Sequence, residues 1–223
     1  NTIENLSSFQ RSILLILQCL KEMWLNFITN NLIFLTSIVL IYRLLKEGVR
    51  QKYFLFFIGF TGVSTAVASI GHLTFLPIDL QQNLLLISRT LSLASLFCFA
   101  SGTIAHFEYN EKGWIRFTSL AILIGFTMWL WKNNHFDAVI IYGVISMAIV
   151  STTLYIKNWS MNKSAHRRII TGIAFTFSSG VLFALLRNLY YHQACDLGHI
   201  LVVLSLIAFA SGFKRLSLYE IKV

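Results

Sequence analysis

The sequence has 223 residues, of which 56% are hydrophobic and only 12% are charged. Soluble domains average about 45–50% apolar and about 25% charged residues, so this chain could not cover a water-exposed surface and must be solvated largely by lipid. Its net charge of +9 comes from lysines and arginines in short groups between apolar stretches, a pattern typical of membrane loops, and we therefore expect no nucleic-acid partner.

The first expected element is an amphipathic helix within residues 1–26. Ile13–Leu20 is apolar, but Arg11 precedes it and Lys21 and Glu22 follow it. A membrane span needs about 20 apolar residues, so this stretch is short for a span. We expect a helix that lies at the membrane interface, with an eighth span as the alternative.

Residues 27–223 are predicted to form a single all-α transmembrane domain, a bundle of seven spanning helices. The connections are short, so helices that follow one another in the chain should be antiparallel. The expected spans are Phe27–Leu45, Tyr53–Phe75, Asn83–Phe107, Trp114–Trp131, Phe136–Ile156, Ile169–Tyr191 and Leu197–Phe213.

The basic residues of the loops predict the orientation of this bundle. Loops facing the cytoplasm are enriched in lysine and arginine, and all four basic groups of this chain fall on one side of the predicted bundle. We therefore expect the N-terminus outside and the C-terminus inside, in a bacterial cytoplasmic (inner) membrane. The basic groups are Arg43, Lys46, Arg50 and Lys52; Lys112 and Arg116; Lys157, Lys163, Arg167 and Arg168; and Lys214, Arg215 and Lys222.

Two arginines lie inside predicted spans, toward their outer, non-cytoplasmic ends. Arg89 belongs to the third span and Arg187 to the sixth. A charged group at the bilayer centre costs roughly 2.5–3.5 kcal/mol, so such groups persist when they are paired or serve a site. They could pair with Asp79 and Asp196 or extend to the headgroups. Alternatively, they bind an anionic lipid headgroup, because guanidinium holds phosphate or carboxylate through two bonds.

Two short strings of similar pattern lie at the outer ends of the second and seventh spans. In each, an oxygen-bearing side chain (Ser69 or Asp196) precedes a histidine (His72 or His199) by three residues, and glycine stands directly before the histidine. The spacing of three places both polar groups on one helix face, and glycine allows close helix approach. We expect these two spans to pack with their histidines facing each other.

A histidine pair of this kind could hold zinc, which takes three protein ligands and a water in catalytic sites. His192 and Asp196 lie seven and three residues before His199, so a helical stretch would place all three on one face. The predicted metal ligands are His72, His199 and His192. The alternative is a set of buried histidines hydrogen-bonded to Ser69 and Asp196 for structural reasons.

The chain resembles the CREST superfamily of seven-helix membrane proteins, which includes alkaline ceramidases and the progestin and adipoQ receptors. The resemblance covers the whole topology and is sharpest at Ser69–Thr74, which looks like the family's serine-and-histidine motif in the second helix. His199 looks like the family's later histidine. The family's serine position is occupied here by Ala68, and the first histidine of its last motif falls at Cys195.

This resemblance implies a zinc-dependent hydrolase that acts on lipid amides, with metal-activated water as the nucleophile. In that interpretation the catalytic residues are Ser69, which stabilises the oxyanion, and Asp196, and the third metal ligand comes from Cys195, Asp196 or His192. Arg89 and Arg187 would bind substrate. The alternatives are a receptor-like binder of membrane lipids, a subunit of a membrane-protein complex, and, more remotely, haem ligation by the two facing histidines.

Overall fold

The computed structural model describes residues 8–49, 51–107, 113–186 and 191–220, with side chains for 24–49, 51–107, 117–183, 185–186 and 196–217. These residues form seven helices and, within the described ranges, no strand. The helices are α1 (Ser8–Lys46), α2 (Lys52–Gly71), α3 (Ile78–His106), α4 (Gly113–Asn133), α5 (Asp137–Lys157), α6 (Lys163–Leu186) and α7 (Tyr191–Glu220).

Each of the seven predicted spans overlaps one of these helices. Five helical segments in the described part of the chain are long and apolar enough to cross a membrane, and α4 and α6 are not among them. The all-helical membrane class is therefore confirmed, whereas the number of spans stays a prediction. The five segments are Trp24–Lys46, Lys52–Gly71, Ile78–His106, Asp137–Lys157 and Asp196–Ser217.

The first helix is longer than its predicted span. It runs from Ser8 to Lys46 as one 39-residue helix, without an interruption between residues 26 and 27. The segment expected to lie on the membrane surface is thus continuous with the first span from Ser8 onward. Whether that segment lies at the interface stays a prediction.

The helices pack into a bundle whose interior differs from one end to the other. α1 packs on both α2 and α7, α2 packs on α3, α6 packs on α7, and α3 also contacts α4 and α5. Toward the C-terminal end of α7, phenylalanines from three helices fill the interior, and we call this region the aromatic end. Its rings are Phe54, Phe57, Phe99, Phe209 and Phe213.

Within the aromatic end the packing is close. Phe54 and Phe213 stack with ring centroids 3.9 Å apart, and Phe57 meets Phe209 edge-on at 5.1 Å. Side chains of α2 and α7 therefore meet here. Close approach between α6 and α7 depends on Gly212, because a Cβ at this position would lie 2.5 Å from Ile169 Cγ1.

Broad apolar faces of α1 and α4 point away from the protein. Ile28, Leu35 and Tyr42 on α1 are 58%, 57% and 65% exposed, and they recur every seven residues along one face. On α4, Phe117 and Met128 are 74% and 68% exposed. Apolar surface of this extent would be unfavourable in water, which agrees with lipid as the surrounding solvent.

Candidate functional site

At the opposite end of the bundle, polar side chains of α1 and α7 form a hydrogen-bonded cluster. Thr29 Oγ1 lies 2.8 Å from His199 Nδ1 and 3.2 Å from Asp196 Oδ1. The predicted pair Asp196 and His199 is therefore brought together, but through a threonine of the first helix rather than by direct contact. We call Thr29, Ser69, His72, Asp196 and His199 the polar end.

The hydrogen bonds of Thr29 determine which nitrogen of His199 is available to a ligand. A hydroxyl has one proton, and the carboxylate of Asp196 can only accept. When Thr29 donates to Asp196, it accepts from the protonated Nδ1 of His199. This arrangement leaves a lone pair on His199 Nε2, which is the atom that could bind a metal ion or accept a hydrogen bond.

Ser69 lies beside α1, where it is 1% exposed. Its hydroxyl donates to the carbonyl of Ala66 at 2.7 Å and accepts from Asn31 Nδ2 at 3.1 Å. The hydroxyl proton of Ser69, which oxyanion stabilisation would require, is thus donated to a carbonyl of α2. The predicted catalytic role of Ser69 would require this hydroxyl to rotate.

His72 directly follows α2 and lies within electrostatic range of His199 and Arg89. That the two imidazoles face each other stays a prediction. Part of the His72 side chain reaches the surface, but burial of its ring, followed by the nearby charge of Arg89, lowers its pKa. At neutral pH this favours a neutral imidazole, the form that binds metal ions and accepts hydrogen bonds.

Arg89 contacts the loop between α4 and α5. Its Nη1 donates to the carbonyl oxygen of Asn134 at 2.5 Å and to the side-chain oxygen of Asn134 at 2.6 Å. Asn134 has a positive φ of 47°, a conformation that asparagine tolerates better than most residues. Arg89 therefore secures the turn that follows α4, and this contact competes with the predicted binding of an anionic headgroup.

The side chains of three residues discussed for the site lie outside the described part of the structure. Arg187 lies outside the described residues. His192 and Cys195 belong to α7, but their side chains lie outside the described part. Among the described side chains, no group of three or more histidine, cysteine, aspartate or glutamate residues could hold a metal ion. The predicted third zinc ligand therefore stays a prediction.

The two glycines that precede the histidines do allow close approach, but to other helices than expected. A Cβ on Gly71 would lie 3.2 Å from Leu84 of α3, and one on Gly198 would lie 3.1 Å from Ser179 Oγ of α6. Ser179 also donates a 2.9 Å hydrogen bond to the carbonyl of Gly198. The glycines thus join α2 to α3 and α6 to α7, while α1 joins α2 to α7.

Between the polar end and the aromatic end lies a cavity of about 320 Å³. Residues of α2, α3, α5, α6 and α7 line it, and Phe57 and Leu206 belong to its wall on the side of the aromatic end. Hydroxyl-bearing residues make up much of the lining. They are Thr61, Ser64, Thr65, Ser92, Ser95, Thr176, Ser179 and Ser205.

The hydroxyls of the lining are largely bonded to one another. Thr61 and Ser95 are 2.6 Å apart, Ser64 and Ser92 are 2.7 Å apart, and Thr176 also bonds a serine of α7, Ser205, at 2.7 Å. A hydroxyl that is already paired contributes mainly carbon atoms to a neighbouring surface. The cavity is therefore suited to an apolar guest despite its many serines and threonines.

His72 and His199 lie on the same helix faces as residues of α2 and α7 that line the cavity. Thr65 and His72 on α2 are seven residues apart, and His199 and Val202 on α7 are three apart. Both spacings keep side chains on one face of a helix. A molecule in the cavity could therefore extend one end toward His72 and His199.

Sequence reasoning missed the contribution of α1 to this site. Asn26, Thr29, Asn30 and Asn31 form a polar run within an otherwise apolar span. Asn30 is 3% exposed and donates to Asn26 Oδ1 at 2.6 Å. This run was the available signal, because uncharged polar groups inside a span need partners from neighbouring helices.

Together, the five apolar segments of the described chain, the polar end and the cavity define a polytopic α-helical membrane protein with a cavity between its helices. The chain belongs to a family of unknown function, DUF6962, which it matches over residues 25–218. No curated protein and no solved structure matches it.

Proposed function

We propose that the protein binds a lipid-like amphiphile, either as a receptor-like binder or as a subunit of a membrane complex. The apolar chain occupies the cavity, and the polar head lies beside His72 and His199. The observation that carries this proposal is the helical spacing of His72 and His199 relative to the cavity-lining residues Thr65 and Val202, which places them on the same helix faces. Apolar pockets with a few convergent polar groups are the usual form of small-molecule sites.

The size of the cavity favours a single chain. At about 320 Å³ it lies near the lower limit of ligand sites, which span roughly 300–1,000 Å³. A single acyl chain suits this space better than the paired chains of a phospholipid. The paired hydroxyls leave an apolar wall along that chain.

The chemistry of the polar end favours a neutral head that donates hydrogen bonds. His199 Nε2 offers a lone pair, and the lowered pKa of His72 favours its neutral form. Nη1 of Arg89 already donates to Asn134, which makes this guanidinium less available to an anionic head. An amide or alcohol head matches these groups.

The placement of the chain in the membrane forms part of the same proposal. We place all seven helices across a bacterial cytoplasmic membrane, with the N-terminus outside and the polar end in the outer half. The distribution of lysine and arginine among the loops supports this orientation. Cysteine labelling of the loops from each side of sealed vesicles tests it directly.

A zinc-dependent hydrolase of lipid amides is the second candidate, favoured by the position of His72 within electrostatic range of His199. The two imidazoles supply two donors, and Asp196 lies within the same cluster. A third ligand would come from His192. A bound zinc ion would supply an activated water for attack on the amide.

Labelling with a photoactivatable amphiphile tests the binding proposal. A Cβ on Gly180, which lines the cavity, would have no atom within 4 Å, so Gly180→Leu fills the space without a clash. The purified protein would be irradiated with a fatty-acid amide that carries a diazirine. Displacing about two methylenes of the chain should reduce labelling roughly tenfold.

Gly125→Leu is the matched control, because Gly125 of α4 also has open space at its Cβ but does not line the cavity. It should label like the unmodified protein. Equal labelling of the Gly180→Leu and Gly125→Leu variants would show that the amphiphile binds elsewhere.

Metal analysis of the purified protein tests the hydrolase. Stoichiometric zinc that is lost in a variant combining His72→Ala and His199→Ala would support it. His135→Ala serves as the control, because His135 is an exposed loop residue that belongs to neither helix. Zinc content that is unaffected by replacing both histidines would reject the ligand assignment.

A further inference from the structure

The winding of α5 changes in its middle, next to the cavity. The helix is α-helical over Asp137–Gly143, π-helical over Val144–Ser151 and α-helical again over Thr152–Lys157. π-Helical turns are rare and frequently occur at functional sites. A π turn contains more residues than an α turn, so changing the winding here would alter which residues of the preceding segment face the cavity.

Two hydroxyls at the end of this segment bond carbonyls five residues earlier. Ser151 Oγ donates to the carbonyl of Ser146 at 2.7 Å, and Thr152 Oγ1 donates to that of Met147 at 2.9 Å. In α-helices such hydroxyls bond carbonyls three or four residues earlier, as Thr127 of α4 does with Leu123. These two hydrogen bonds to the fifth preceding residue therefore stabilise the π-helical turns.

The π-helical winding brings a glycine to the wall of the cavity. Gly143 lines the cavity, where a Cβ at this position would lie 3.6 Å from Leu96 Cδ1 of α3. If α5 were α-helical throughout, counting from its fixed end at Thr152–Lys157, the same angular position would be reached about one residue sooner. Val144 would then replace Gly143 and reduce the space.

We infer that the π-helical segment of α5 is a register switch that sets the width of the cavity. With π winding, Gly143 faces the cavity and an apolar chain fits; with α winding, Val144 faces it and the chain is excluded. The purpose of the switch rests on the proposed function, but the change of register itself does not.

Crosslinking between α5 and α3 reports the register without any ligand. In a background in which Cys19, Cys98 and Cys195 are replaced by alanine, Gly143→Cys or Val144→Cys would each be combined with Leu96→Cys. A short bifunctional thiol reagent should crosslink the first pair in the open register and the second pair in the closed one. The ratio of the two yields measures the equilibrium.

Both cysteine pairs should crosslink, because the two inferred registers interconvert, with the larger yield from the Gly143→Cys pair that the π winding favours. Crosslinking of the Gly143→Cys pair alone would show a fixed register and overturn the switch.

Deletion of Ile149 provides a second test. Ile149 is a π-helical residue that is 57% exposed, and its deletion allows α winding while Gly143 stays in place. Only the Gly143→Cys pair should then crosslink. Crosslinking of the Val144→Cys pair in this deletion would also overturn the inference.

The crosslinking and labelling experiments fail in distinguishable ways. A fixed register in a protein that still binds the amphiphile overturns the switch alone. A mobile register in a protein that does not bind the amphiphile overturns the proposed function alone.

Discussion

Glycine has opposite roles at the aromatic end and at the cavity. At the aromatic end, Gly212 and Gly172 allow close packing: a Cβ on Gly172 would lie 2.8 Å from Phe209 Cδ1. At the cavity, a Cβ on Gly180 would meet open space. The first arrangement fixes the helices against one another, whereas the second leaves room for a guest.

Histidines show the same contrast. His166 at the aromatic end is 0% exposed, its ring lies 5.2 Å from that of Tyr155, and within the described chain neither ring nitrogen has a hydrogen-bond partner. His199 at the polar end bonds Thr29. One histidine is enclosed by rings, and the other is connected to a polar network beside a cavity. Close aromatic packing and the buried polar network therefore lie at different ends of the molecule.

The largest expected effect is the loss of an aromatic ring. Phe209 is 0% exposed and contacts Phe57, Phe99 and Phe213. Phe209→Ala should destabilise the fold by about 3–5 kcal/mol, because it removes these contacts and leaves a void. Thermal unfolding in detergent would measure the change. A loss below about 1 kcal/mol would show that the aromatic end does not hold the bundle together.

Replacing a glycine by alanine should have opposite effects on stability at the aromatic end and at the cavity. Gly212→Ala forces a Cβ against Ile169 and should cost about 1–3 kcal/mol through overpacking. Gly180→Ala meets no atom and should instead stabilise α6 by roughly 0.5–1 kcal/mol through helix propensity. Unfolding of the two variants under the same conditions compares them. Equal effects would contradict the difference in packing.

Acid should destabilise the aromatic end through His166. Burial, followed by the charge of His106, lowers the pKa of His166 to about 4 from its ordinary value of 6.5. The unfolded state then binds more protons than the folded state between these values, so stability is complete above pH 6.5 and falls as the pH decreases toward 4.

The measurement is the unfolding temperature of the protein and of His166→Phe across this interval. The variant should lose less stability on acidification than the unmodified protein does. An equal decrease in unfolding temperature for both proteins would show that His166 does not cause the acid destabilisation.

The smallest effect is expected from the hydroxyls that line the cavity. Thr61 bonds Ser95 at 2.6 Å, and Thr61→Val should cost about 1 kcal/mol, close to the net value of one hydrogen bond. Unfolding of Thr61→Val and of the Thr61→Val, Ser95→Ala double variant measures the pair. A double variant much less stable than the single one would indicate that these hydroxyls have further essential partners.

The sequence predicted the helices well because the signal for each is local. Apolar stretches separated by basic loops located all seven helices, since lipid solvation requires a run of apolar residues in every span. The predicted break near residue 26 was drawn from a local decrease in hydrophobicity. The helix continues there from Ser8 onward, because hydrogen bonding of a helix does not depend on which solvent surrounds it.

The site was predicted less completely because its contacts connect distant helices. His72 and His199 were expected to face each other; they lie within electrostatic range of each other, and the facing arrangement stays a prediction. The residue that links the cluster, Thr29, lies 170 positions from His199. Spacing along one helix cannot reveal such a partner, nor can it show that Arg89 bonds the backbone of Asn134.

The proposal that an amphiphile binds in the cavity is tested most directly by the position at which the bound molecule is labelled. Fatty-acid amides with a diazirine at the chain terminus or beside the head would be photocrosslinked, and the labelled peptides identified. The account predicts that the terminal probe labels the cavity wall near Phe57 and Leu206, and that the head probe labels α7 near His199. Labelling by both probes of exposed α4 residues such as Met128, with none at the cavity, would contradict it.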